Sequence, residues 1–241
     1  MRPVDSHCHL QFEEFDSDRK KIIEEVEENL EFAVLAGINP KDNLEAKEIS
    51  ETSDSLKYCM GLHPLHHESE IQKVEEQIEE EEPIAVGEIG LDYNYITDSD
   101  EREESEKVFR EMLAIAEEKG LPVVVHSRNA ERKCFEIVEE FNVRGFFHCF
   151  NGRPKLAEEI VSSGHLIGVT NQITYSSRVK KIVERIDLED ILAETDSPYL
   201  HEERNRPVNV AEVIEEIADI KSVDVSKVLE TTSKNSRDFF M

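Results

Sequence analysis

Seven side chains that bind metals or move protons stand in or at the ends of apolar runs of this sequence. His7 and His9 lie in Val4-Asp5-Ser6-His7-Cys8-His9-Leu10, His63 follows Gly61-Leu62, and Glu88 sits within Ala85-Val86-Gly87-Glu88-Ile89-Gly90. His126 follows Val123-Val124-Val125, His148 follows Gly145-Phe146-Phe147, and Asp196 ends the run that begins at Ile191. Imidazole and carboxylate suit zinc and manganese, and carboxylate with water also admits magnesium. Taken singly, each residue has a plainer reading: a hydrogen-bonded core pair for His7 and His9, a salt bridge for Glu88, strand-end hydrogen bonds for the rest. Taken together they do not, because independent accidents would have to set ligand-type residues at the same end of successive strands. The four histidines His7, His9, His126 and His148 with Glu88 and Asp196 are too many for one tetrahedral ion. Two divalent ions (Mg, Mn or Zn) ~3.5–4 Å apart, with Glu88 bridging them, use the set fully.

The elements that must position these residues are legible as periodicity. Short β-rich runs alternate with longer amphipathic stretches of Glu, Lys and Leu. The predicted strands are Val4–Leu10, Phe32–Ile38, Lys57–Leu62, Ile84–Gly90, Pro122–Ser127, Arg144–Phe150, His165–Thr170 and Ile191–Asp196. Between them Asp18–Leu30 and Glu101–Lys119 carry apolar residues at helical spacing, and Val210–Ile220 and Ser226–Phe240 read as closing helices. Continuous apolar runs such as Val123-Val124-Val125 belong to a parallel sheet covered on both faces. Repeated strand-helix units without a linker predict an α/β fold, a (β/α)8 TIM barrel, as one domain over residues 1–241. The competing open, doubly wound sheet lacks a Gly-x-Gly-x-x-Gly turn after the first strand. In a barrel the C-terminal strand ends carry the chemistry, and all seven residues fall there. His7 and His9, two apart, share the lumen side, while Cys8 faces the helices.

The 241 residues carry 55 acidic and 28 basic side chains, a formal charge of −27. Such a field opposes nucleic-acid binding by bulk charge but not by a local basic patch, because distant charges are screened. The 4 cysteines lack a Cys-x-x-Cys pair and read as reduced, buried thiols. No window approaches the ~18 apolar residues of a membrane span, and the first residues contain no apolar run of a signal peptide. A cytoplasmic protein with no obligate protein partner is expected.

The segments Asp5-Ser6-His7-Cys8-His9-Leu10, Gly61-Leu62-His63-Pro64, Gly87-Glu88-Ile89-Gly90-Leu91-Asp92-Tyr93, Leu121–Arg128, His148-Cys149-Phe150-Asn151-Gly152 and Glu194-Thr195-Asp196-Ser197-Pro198-Tyr199 resemble, in order, the signatures of the TatD family of metal-dependent hydrolases. These are deoxyribonucleases of the amidohydrolase-type barrel superfamily. The resemblance implies that His7, His9, Glu88, His126, His148 and Asp196 are metal ligands and that His63 contacts substrate. It also implies hydrolysis of DNA phosphodiester bonds, commonly from the 3′ end. Gln11, Asn171 and the short stretch 200–207 depart from the family pattern; none is a proposed ligand, and they bear on substrate choice.

On this reading a metal-bound hydroxide is the nucleophile, Asp196 accepts a proton, and His63 contacts phosphate or leaving group. Asp92 either orients a ligand imidazole or makes a loop hydrogen bond. His66, His67 and His165 read as structural or solvated, and His201 is left open. Arg128, Arg153, Arg178, Arg204 and Arg206, in loops after the later strands, are expected to rim the mouth and hold phosphates of DNA ends. Two other classes compete: a hydrolase of ester or amide bonds, such as an aminoacyl-tRNA deacylase or small-molecule amidohydrolase, and a non-enzymatic metal-binding protein. The superfamily branches acting on cyclic amides and phosphotriesters bridge their metals with a carboxylated lysine, where this chain has Glu88.

Overall fold

The computed structural model describes residues 1–66 and 68–241. Its strands, in chain order, are β1 (Val4–Cys8), β2 (Phe32–Ala36), β3 (Leu56–Cys59), β4 (Val86–Asp92), β5 (Val123–Arg128), β6 (Gly145–Phe147), β7 (Leu166–Val169) and β8 (Ile191–Ala193). The helices are α1 (Arg19–Asn29), α2 (Pro40–Ser50), α3 (Ile71–Glu81), α4 (Ser99–Lys119), α5 (Glu131–Val138), α6 (Pro154–Ser162), α7 (Ser177–Arg185), α8 (Val210–Lys221) and α9 (Val225–Phe240). Capping sets several of these boundaries. Asn39 accepts from the Lys41 and Asp42 amides ahead of Pro40, and Gly120 ends α4 in the left-handed conformation (φ 66°) that costs glycine nothing.

All strand pairs are parallel, and neighbours follow chain order, as in a (β/α)8 barrel. Closure differs from the expected continuous ladder. Pairing runs through β1-β2-β3 and through β4 to β8, and the seams between these sheets are single bridges, Met60 to Val86 and Cys8 to Ser197. At the second seam a side chain does the work of the ladder: the buried Asp5 carboxylate accepts the Thr195 amide at 2.8 Å and its hydroxyl at 2.7 Å.

Side-chain alternation separates two cores. One apolar cluster takes Val4, Val34, Cys59, Val124, Phe146, Leu166 and Leu192 from seven strands, and Ala85 from the residue before β4. Only a barrel interior touches every strand. Their neighbours Val123, Val125, Phe147, Ile167, Ile191 and Ala193 belong to the other cluster, packed under the helices. Phe239 and Phe240, at the end of α9, close the lumen from below with ring centroids 6.0 and 6.3 Å from Phe146.

Several strands are shorter than their apolar runs, because the polar residues at their ends leave the ladder. His9, His63, His148 and Asp196 all lie beyond the last residue of their strand. Cys149 (φ 47°) and Asp196 (φ 53°) adopt left-handed backbone just past β6 and β8. β1 and β4 each carry one extra residue against their partners, between Asp5 and Cys8 and between Val86 and Ile89. Each bulge resets which side chains point inward, so His7 and Glu88 enter the lumen while Cys8 and Ile89 pack under the helices. Replacing Phe146 with Ala should remove the keystone of the lumen floor and cost about 3–5 kcal/mol of unfolding free energy. Urea denaturation checks this, and a loss under about 1 kcal/mol would mean that the floor collapses to refill the space.

Candidate metal centre

Above the apolar floor the same inward positions turn from hydrocarbon to ligand. His126 lies two residues past Val124 and His148 two past Phe146, so alternation carries both rings into the lumen. The two oxygens of buried Glu88 face different partners. Its Oε2 lies 3.5 Å from His7 Nε2 and 3.7 Å from His9 Nε2, with Asp196 Oδ1 3.7 and 3.5 Å from the same two nitrogens. Its Oε1 lies 2.6 Å from His126 Nδ1 and 2.9 Å from His148 Nε2. All four predicted histidine ligands therefore converge on the Glu88 carboxylate, with Asp196 facing His7 and His9 beside it.

The hydrogen-bond pattern shows that this set calls for cations. His9 Nδ1 lies 2.9 Å from the Ala36 carbonyl and donates to it, which aims Nε2 at the centre, 3.1 Å from His7 Nε2. His126 stands between two carboxylates, with Nε2 3.1 Å from Asp92 Oδ2 and Nδ1 2.6 Å from Glu88 Oε1, so without a metal both nitrogens must carry protons. Burial alone would push Glu88 up, but the field of His148 and the bonds from His126, His148 and His7 hold it well below its ordinary range. Burial likewise disfavours charge on His148, His126 and His9, yet the facing carboxylates raise all three. His7 goes the other way: burial, then His148 beside it, pushes it down to about 4 and keeps it neutral. A site that holds protons on imidazoles to offset buried carboxylates fits divalent metal ions, which would replace those protons.

His63 plays a different part. Burial pushes it down to about 3, so it is neutral. Its Nδ1 accepts the Leu65 amide at 3.3 Å, so the ring proton sits on Nε2, 3.6 Å from Glu88 Oε1. That tautomer presents a donor, not a ligand lone pair. Asp92, which the sequence left between two roles, accepts both from His126 and from the Asn94 amide at 2.9 Å.

A cavity of about 770 Å³ opens over these residues, walled by loops that follow the strands. Arg128 and Arg178 line it; Arg128 lies over the Tyr95 ring, 5.3 Å from its centroid, and Arg178 donates to the Asn151 carbonyl. The expected arginine rim is narrower than the sequence suggested. Among the described residues lining the cavity, Arg153, Arg204 and Arg206 are absent. Arg204 makes a bidentate pair with Asp18 at 2.8 and 2.6 Å, and Arg206 bonds Glu25 at 2.8 Å, because the final loop folds back onto α1. His66, read from the sequence as structural or solvated, lines the cavity beside His63 and lies 3.8 Å from Glu70. His165 braces the opposite end of the barrel, accepting from the Gly145 amide, and His201 faces Glu212 at 3.5 Å. His67 lies outside the described residues.

Sequence reasoning passed over three groups. Phe12, Tyr95 and Tyr199 put aromatic rings on the cavity wall; their position in loops just past β1, β4 and β8 was the available signal. Asn205, fully buried, donates to Asn171 Oδ1, the Thr195 carbonyl and the Tyr199 carbonyl, and so ties the final loop to the end of β8. Glu194, also fully buried, enters the lumen two residues before Asp196.

Because His9, His126 and His148 are raised, metal binding must displace their protons, and apparent affinity should fall as pH is lowered through their titration. Calorimetry in buffers of different ionisation heat should show net proton release on binding. An affinity independent of pH between about 6 and 8 would contradict the assignment of protons to these rings.

The TatD related DNase family model matches residues 4–241. A metal-dependent hydrolase of Methanocaldococcus jannaschii is 38% identical over 100% of this chain and 97% of its own length. Human deoxyribonuclease TATDN3 is 31% identical over 98% of this chain and 94% of its own. Among solved structures, YJJV, a TatD homologue of Escherichia coli, superposes with a TM-score of 0.91 at 25% identity, covering 99% of this chain and 98% of that one. With its ligand-type residues gathered at the C-terminal strand ends and its whole length matched, the chain belongs to the TatD family of metal-dependent hydrolases.

Proposed function

We propose that this chain, acting as one catalytic unit over residues 1–241, is a deoxyribonuclease that hydrolyses phosphodiester bonds at DNA ends, removing nucleotides from the 3′ end. The observation that carries the reading is the division of Glu88, whose two oxygens face two separate groups of imidazoles. His7, His9 and Asp196 would hold one divalent ion with Oε2, and His126 and His148 a second with Oε1. Bound there, such ions acidify a water toward neutral pH and draw charge from the attacked phosphate. DNA as substrate is carried over from family membership and from the deoxyribonuclease activity named for the human relative.

The chain's own residues supply the rest. Burial would raise Asp196, but the bond from His9 and the fields of His148 and His7 keep it below its ordinary range, ionised on the cavity wall and ready to accept a proton from the attacking water. His63 offers its Nε2 proton to a phosphate or leaving-group oxygen. Arg128 and Arg178 supply local positive charge that the −27 of the whole chain opposes. Phe12, Tyr95 and Tyr199 offer ring faces on which unpaired bases stack.

Metal-titrated cleavage of a 3′-labelled single-stranded oligonucleotide tests the activity. Glu88→Ala should lose bound metal and nearly all turnover. Asp196→Asn should keep metal and lose ~10²-fold or more in rate, since the amide oxygen still ligates but takes no proton. Full metal occupancy and wild-type turnover in Glu88→Ala would remove the bridging role. No cleavage of DNA with any divalent ion would remove the nuclease reading.

Salt dependence isolates the arginines. Arg128→Ala combined with Arg178→Ala should weaken oligonucleotide binding and flatten the log-log salt slope by roughly 0.7 for each lost phosphate contact. Arg110→Ala, which removes an exposed ion pair with Glu140 on the outer face, should change neither. An unchanged slope in the double variant would mean that the arginines hold no phosphate.

A further inference from the structure

Between the apolar floor of the lumen and the ligand histidines lies one carboxylate that the ligand set does not use. Glu194 follows Leu192 by two residues and precedes Asp196 by two, so its side chain shares the lumen side with both. It is fully buried. Its Oε1 accepts the Cys149 amide at 2.5 Å. Its Oε2 has no hydrogen bond and lies 3.7 Å from His148 Nδ1, which has none either. Buried polar atoms are nearly always paired, and 3.7 Å is beyond hydrogen-bond reach, so donor and acceptor face each other with the bond unmade.

The seat of this carboxylate is built by its neighbours. Gly168, on the lumen side of β7, leaves room for it: a Cβ there would fall 2.2 Å from Glu194 Oε1 and 2.9 Å from His148 Cα. Two of the other ligand imidazoles already have an acceptor at the nitrogen remote from the centre, the Ala36 carbonyl for His9 and Asp92 for His126. His148 has none but Glu194.

We propose that Glu194 is a positioning residue that accepts a hydrogen bond from the Nδ1–H of His148 when metal is bound, fixing the tautomer that leaves Nε2 as a lone pair on the Glu88 side. This rests on the two-ion reading of the centre given above. A neutral imidazole has one proton to place, and a carboxylate at Nδ1 decides where it goes. Gly168 belongs to the same device, because a Cβ there would press on the carboxylate and also on the Phe146 ring and the His148 backbone.

The test compares the wild type with Glu194→Gln, Glu194→Asp, Gly168→Ala and Glu88→Ala, reading zinc affinity by competition titration and the His148 tautomer by 15N NMR of the zinc-loaded protein. Glu194→Gln should keep both ions but bind the weaker one about 10–100-fold less tightly, with the His148 proton no longer held on Nδ1. Gly168→Ala should reproduce both changes. Glu194→Asp keeps the charge with shorter reach and should fall between; it carries the test if the amide variant does not fold. Wild-type affinity with an unchanged tautomer in Glu194→Gln overturns the proposal. Loss of one whole ion with the tautomer unchanged also overturns it, by making Glu194 a ligand with His7 and His148. Wild-type zinc binding in Glu88→Ala would instead overturn the metal centre itself, a distinguishable failure.

Discussion

A carboxylate buried in the lumen of a barrel is stable only where cations face it, and Glu88 imposes that condition on everything around it. The lumen must be filled by inward side chains from every strand. Below Glu88 they are hydrocarbon, from Val124, Phe146, Leu166 and Leu192 down to Phe239 and Phe240. At its level they become imidazoles, from both sides of the barrel. Without metal, the histidines balance the buried charge by holding protons; with metal, the same nitrogens are free to ligate.

Much of the irregular geometry serves this placement. The extra residues in β1 and β4 turn His7 and Glu88 inward, and the ladder gives way to single bridges beside those two strands. Asp5 takes over hydrogen bonding at one seam. Near the other, Asn43 bonds both the carbonyl and the amide of Gly61, and Gly61 packs so closely on the Gly87-Glu88 peptide that a Cβ would fall 2.5 Å from the Gly87 carbonyl carbon. A glycine is therefore needed for Glu88 to sit where it does.

Charge is distributed with the same economy. Acidic residues dominate the outer helices, where water and salt screen them, and many are paired with basic neighbours. Arg204 and Arg206 belong to this outer set, spent on Asp18 and Glu25 where the final loop crosses α1. Arg128 and Arg178 remain at the cavity. A strongly acidic chain thus keeps a local place for an anion.

The sequence by itself determined the architecture and which ligand-type residues gather at one end of it. Strand-helix alternation is written in periodicity, and a polar residue at the end of an apolar strand points to one end of a barrel, so His7, His9, Glu88, His126, His148 and Asp196 were legible without coordinates. What only the tertiary structure decided was which atom of each residue faces which partner. The division of Glu88 between two groups of imidazoles and the empty reach between Glu194 and His148 arise from contacts between strands far apart in the chain. The arginines show the same limit. Loop position placed five of them near the mouth, but a long, flexible side chain goes to the nearest carboxylate, and for Arg204 and Arg206 that carboxylate is on α1, a neighbour set by folding and invisible in local spacing.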